Sequence, residues 1–142
     1  MMVKLKVKKL NPEAKVPQYA TQGDAGMDLY SLEDYNIKPG ERKSFKLGIA
    51  TQFPEGYVAL VWDKSGHAAK RGLKTMAGVI DAGYRGEWAI VVLNTSDSEV
   101  EINKGDKIAQ ALIQPVISAE IEEAEDLSDS ERGDGGFGST GR

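Results

Sequence analysis

Apolar residues along this chain alternate with polar ones more often than they recur every third or fourth position, which is the period of strands rather than helices. In KSFKLGIATQF, Phe45, Leu47, Ile49 and Phe53 keep step at period two and predict a half-buried strand. GYVALVWDKSG and WAIVVLNTS are short β-rich runs bounded by turn formers, and VEINKGDKIAQALIQPV reads as two strands joined at Lys104-Gly105-Asp106. Pro39-Gly40 and Pro54 to Gly56 mark further turns. Strands at such intervals predict an all-β domain: a sandwich, barrel or jelly roll. Helix is expected only as a short piece within SGHAAKRGL, and there is no internal repeat.

The 142 residues leave room for one domain with a real core. Composition divides them into a β-rich domain over 1–117, an acidic connector over 118–131 (SAEIEEAEDLSDSE) and a glycine-rich end over 132–142. Cysteine is absent, which excludes thiol catalysis, disulfides and thiolate zinc sites and makes a reducing cytoplasm the expected compartment. MMVKLKVKKLNPEAK lacks the uninterrupted apolar stretch of a signal peptide, and no other segment is long enough to span a bilayer, so a soluble protein without a membrane partner is expected. A net charge of −4 argues against broad nucleic-acid binding and leaves small anions, held by a few local groups.

Candidate chemistry lies in short segments. His67 is the only histidine, with no orienting partner nearby, and reads as a surface or packing residue. In GVIDAGYRGEW, hairpin grammar sets Asp81 beside Tyr84; the carboxylate can serve as a base on water, or can bond the turn's own N–H groups. In DKSGHAAKRG, Ser65 and Gly66 can donate to phosphate oxygens near Lys64, Lys70 and Arg71, or can simply end a strand. Gln110 is the polar member of an apolar strand, and Asp24 and Asp28 stand four apart near glycines. The last segment, RGDGGFGSTGR, sets five glycines, Phe137, Ser139 and Thr140 between Arg132 and Arg142. It lacks the Lys and the following helix of a Walker A loop, which leaves a disordered tail or an anion-gathering loop of another kind.

In order along the chain, AGMDLYS (25–31), DKSGHAAKRGL (63–73), GVIDAGYRGEW (78–88), GDKIAQALI (105–113) and RGDGGFGSTG (132–141) resemble the five motifs of the homotrimeric dUTPase family. The resemblance implies an all-β jelly roll and a homotrimer whose three active sites are each built from all three chains. It implies hydrolysis of dUTP to dUMP and pyrophosphate by water attack at the α-phosphorus, which limits uracil incorporation in DNA and supplies dUMP for thymidylate synthesis. In this sequence Asp81 would be the general base, with Gln110 helping to position the water. Tyr84 would stack under the deoxyribose and exclude a 2′-hydroxyl, while backbone groups of Gly78, Val79 and Ile80 read the uracil edge. Lys64, Ser65 and Gly66 would face the phosphates, and Asp28 would help hold Mg²⁺ through water. The tail would be a mobile lid, Phe137 covering the uracil and Arg132, Gly138, Ser139 and Thr140 closing around the phosphates.

The second motif departs from the family wording: Asp63-Lys64 stands where Pro-Arg is general, and His67 where Leu is usual. Lysine keeps the charge and loses the planar fork of arginine. Two rival readings remain: dCTP deaminases, including bifunctional members, share the fold and the trimer, and some relatives are non-catalytic regulators. GVIDAGYRGEW fits the uracil readers better, and Asp81, Tyr84, Gln110 and the tail are all present.

Overall fold

The computed structural model describes residues 2–138 and 141. Ser139 and Thr140, assigned above to the phosphates, lie outside the described residues. Among the described residues eleven strands follow one another: β1 Lys6–Lys9, β2 Met27–Tyr30, β3 Tyr35–Ile37, β4 Arg42–Lys46, β5 Ile49–Gln52, β6 Tyr57–Trp62, β7 Leu73–Met76, β8 Val79–Asp81, β9 Ala89–Asn94, β10 Val100–Ile102 and β11 Lys107–Pro115. The one helical piece among the described residues is a π-helical turn, His67–Arg71, inside the segment where a short helix is expected. No helix among the described residues is long and apolar enough to cross a membrane.

The strands form sheets in the orders β2-β11-β6-β8 and β4-β9-β7, with two smaller pairs, β1-β5 and β3-β10. Side chains from both larger sheets meet in one core, Leu29, Ala59 and Ala111 from the first and Phe45, Ile90 and Val92 from the second, giving an all-β sandwich of jelly-roll type. Trp88, only 1% exposed, sits within it, and each such large side chain contributes about 1.5 to 3 kcal/mol by leaving water.

Two expectations are corrected by the pairing. The period-two run from Phe45 to Phe53 is two strands: β4 pairs with β9, and β5 pairs with β1. The break falls at Leu47 and Gly48, where the Leu47 N–H donates to the Trp88 carbonyl and the Gly48 N–H to Glu87 Oε2. The four apolar positions are nevertheless all buried, because the chain changes sheets without changing its inward phase. GVIDAGYRGEW is likewise no hairpin, since β8 pairs with β6 while β9 pairs with β4 and β7. Burial of Trp88, whose Nε1 donates to Thr51 Oγ1 at 3.0 Å, draws the segment from one sheet to the other.

Beyond Pro115 no strand or helix occurs among the described residues, and residues 116–134 are exposed throughout.

Candidate active site

Strand β11 lies between β2 and β6, and its register sets Gln110 opposite both Asp28 and Trp62. The Gln110 Nε2 donates to the Asp63 carbonyl at 2.9 Å, so the end of β6 fixes the amide. Its Oε1 packs against Gly26, where an added Cβ would lie 2.2 Å away; only glycine leaves room for this rotamer. Asp28 is almost wholly buried, and Lys64 reaches its Oδ1 at 2.5 Å and Lys107 its Oδ2 at 3.1 Å. Burial opposes ionisation of Asp28, but the hydrogen bonds and charges of the two lysines outweigh it and hold the carboxyl below the usual carboxylate range. Two cations against one anion leave this cluster positive.

Ser65 and Gly66 open the π-helical turn just beyond Lys64; both are exposed, and a Cβ at Gly66 would meet open space. A ligand can therefore approach their backbone closely. His67 is half-buried with Nε2 2.5 Å from the Lys107 carbonyl, a packing role that ties the turn to β11.

The second group lies at the far end of β8. Gly78 accepts the Val61 N–H through its carbonyl, and Val79, Ile80 and Asp81 pair with Leu60, Ala59 and Val58. The turn after Asp81 closes through backbone, Tyr84 N–H to Asp81 carbonyl at 3.1 Å, and the Asp81 carboxylate makes no hydrogen bond among the described residues. Of the two roles the sequence leaves open for Asp81, bonding the turn is not used. Tyr84 is braced: its hydroxyl donates to the Glu87 carbonyl at 2.9 Å, and its ring lies across Gly86, where a Cβ would come 2.4 Å from the hydroxyl oxygen. Arg85 Nη1 donates to the Ala82 carbonyl at 2.7 Å, fastening the same loop from the other side.

These two groups do not meet within the chain. Asp81 faces Val58 and Gln110 faces Trp62, about 13 Å apart along β6 and about 10 Å across it. Among its described residues the tail joins neither: Arg132 Nε donates to the nearby Gly135 carbonyl at 2.8 Å, and Phe137 and Gly138 are exposed. Sequence reading marks Asp63 only as a departure from the family wording, misses its hold on Gln110, and passes over Gly26 and Gly86. Asp63 carries a signal, standing where the family has Pro; the glycines carry none, because each is required by the rotamer of another residue.

The sandwich and its two groups of side chains match the β-sandwich class of nucleotide hydrolases. The Staphylococcus bacteriophage 80alpha dUTPase with dUPNHPP has a TM-score of 0.92 and 34% identity, the alignment covering 98% of this chain and 99% of that one. A mutant dUTPase from phage phi11 of S. aureus, described as revealing the coordination of a structural Mg(II) ion, has a TM-score of 0.82 and 30% identity over 89% of this chain and 99% of that one. The chain belongs to the dUTPase family, whose model matches residues 12–141. Curated relatives called deoxyuridine 5'-triphosphate nucleotidohydrolase are 51% identical in Nautilia profundicola, covering 99% of this chain and 100% of the relative, and 49% identical in Clostridioides difficile, covering 99% of each.

Proposed function

We infer that this chain hydrolyses dUTP to dUMP and pyrophosphate. Family membership across residues 12–141 supports the reading most, and the free Asp81 carboxylate beside a braced Tyr84 supports its chemistry. The exposed Asp81 carboxylate takes a proton from the attacking water, and Gln110 orients that water through its fixed amide. The Tyr84 ring backs the deoxyribose, and the backbone of Gly78, Val79 and Ile80 reads the uracil edge; a wrong base leaves buried polar groups unpaired. Ser65 and Gly66 donate to the phosphates, and Lys64 acts through the positive Asp28 cluster rather than as a free side chain.

No group of three acidic or histidine residues fit to cage a metal occurs among the described residues, and both Asp28 oxygens already accept from lysines. Mg²⁺ would therefore be held mainly on the triphosphate, and Asp28 would reach it through water only if a lysine moved off its carboxylate. When bound, the ion supplies neutralising charge as pyrophosphate leaves.

The sheet that lies between the proposed base and Gln110, about 13 Å along and about 10 Å across the strands and so about 16 Å in all, is reason to place Asp81 and Gln110 of one site on different subunits of a homotrimer. Residues 1–117 are then the catalytic domain, 118–131 the connector and 132–142 a lid over a neighbour's site. The cysteine-free sequence suits the cytoplasm, a placement that cell fractionation checks.

The deciding experiment supplies Mg²⁺ with dUTP, dCTP, dTTP or UTP in turn and follows pyrophosphate and base identity. Rapid release from dUTP alone is expected; equal release from dCTP or UTP overturns the reading, and uracil formed from dCTP reassigns it to the deaminases. In the same assay a chain lacking residues 132–142 retains its fold and loses most turnover, and undiminished turnover removes the lid role.

A further inference from the structure

We propose that Ala77 determines base specificity: its methyl group closes the slot in which β8 reads the base and rejects a pyrimidine that carries a 5-methyl group. The inference deepens the reading of the site given above and rests on it. β7 lies in the sheet β4-β9-β7 and β8 in the sheet β2-β11-β6-β8, so Ala77 and Gly78 alone carry the chain from one sheet to the other. Both take positive φ, 63° at Ala77 and 111° at Gly78. At Gly78 only glycine fits, since an added Cβ would stand 2.9 Å from Val61 Cβ. Ala77 is different: with Phe137 it is one of two non-glycine residues of positive φ among the described residues, and it is exposed. The crossing requires the conformation, which glycine adopts freely and an L side chain resists. It does not require the methyl group, which gains little packing inside this chain. Strain that packing does not offset marks a group that acts on what comes to it.

The backbone around Ala77 points to the base. β8 is the edge of its sheet, and the Gly78 carbonyl accepts from the Val61 N–H at 2.9 Å. Opposed residues of an antiparallel pair alternate between bonded and unbonded, so the next residue, Val79 opposite Leu60, turns its N–H and C=O to the open edge. These are one donor and one acceptor side by side, the pair that the imide edge of uracil needs. Ala77 and Asp81 flank Val79 at two residues on either side, about 7 Å along the edge each way. Asp81 works at the α-phosphorus and Tyr84 backs the sugar, so the sugar end of the nucleotide lies on the Asp81 side of Val79 and the far end of the base on the Ala77 side. In a pyrimidine that far end carries C4 and C5. Uracil has only hydrogen at C5, whereas thymine has a methyl group that would meet the methyl of Ala77. Gly78, pinned against Val61, keeps Ala77 from yielding.

The test compares kcat/KM for dUTP and for dTTP, both with Mg²⁺, in the parent chain, Ala77→Gly and Ala77→Ser. Ala77→Gly is expected to lower the preference for dUTP over dTTP about tenfold, the lower end of what one methyl group decides in a pocket. The change comes through a fall in KM for dTTP, with kcat for dUTP unchanged. The thermal midpoint of this variant is held or raised, because glycine takes the conformation without strain. Ala77→Ser keeps the bulk beyond Cβ and keeps the preference. A parent that does not distinguish the two nucleotides overturns the dUTP reading and this inference with it. A discriminating parent whose Ala77→Gly variant discriminates equally well overturns the inference alone. So does a loss shared equally by the serine variant, or a lowered thermal midpoint with the preference intact, which would make the methyl group a packing or subunit contact.

Discussion

At Gly86 a single methyl group decides how Tyr84 lies. A Cβ there would stand 2.4 Å from the Tyr84 hydroxyl oxygen and 2.6 Å from Cζ, so the ring must leave and give up its bond to the Glu87 carbonyl. Gly86→Ala is therefore expected to raise KM for dUTP and to reduce the preference for dUTP over UTP about tenfold, because the face that would reject a 2′-hydroxyl is no longer held. Steady-state rates on both nucleotides measure this, and an unchanged preference removes Tyr84 from sugar discrimination. Tyr84 and Asp81 stand out in the sequence because the proposed chemistry rests on their own side chains. Gly86 and Gly26 are not, since nothing along the chain tells that Tyr84 or Gln110 will turn its side chain onto that backbone.

At the scale of elements, Asp63 clamps the end of β6. Its Oδ1 accepts from the Thr75 N–H at 2.5 Å and from Thr75 Oγ1 at 2.8 Å, its Oδ2 accepts from Lys74 at 2.7 Å, and its carbonyl accepts from Gln110. Burial works against the charge on Asp63, yet the hydrogen bonds from Lys74 and Thr75 prevail and keep the carboxyl below its ordinary value. A carboxylate with a depressed folded-state pKa stabilises the fold fully above its unfolded value of about 4, and that contribution is lost as pH falls through the lower folded value. In Asp63→Asn the urea midpoint should fall less steeply than in the parent between about pH 4 and pH 2, with the slope that remains owed in part to Asp28. Identical acid limbs would show that the clamp carries no pH-dependent stability. The strand content of this region is legible because burial alternates, but its pairing is not. GVIDAGYRGEW has the composition of a hairpin, and only the core's claim on Trp88 takes β9 to the other sheet. The run through Phe45 and Ile49 hides its break for the complementary reason: both strands point the same residues inward.

For the whole molecule the decisive feature is that Asp81 and Gln110 hang from opposite neighbours of β6, opposite Val58 and Trp62. Two groups acting on one water must each come within about 3 Å of it, and a separation of about 13 Å along the strand forbids that inside one chain. The motifs themselves are legible in order along the sequence, but the division between subunits proposed above rests on sheet register, which no motif contains. A mixing experiment reads this division directly. Asp81→Asn and Gln110→Ala, each alone, are expected to lose about a hundredfold or more in turnover while still binding dUTP. When the two inactive variants are unfolded together and reassembled in equal amounts, a site that takes its base from one subunit and its glutamine from another finds both intact in about a quarter of cases. Turnover of the mixture should return to about a quarter of the parent's, and should do so only after reassembly, because intact oligomers mixed without unfolding keep their original chains. A site contained in one chain gives the opposite result, since every site would then carry one lesion or the other whatever its neighbours, and the mixture would stay as inactive as its parts.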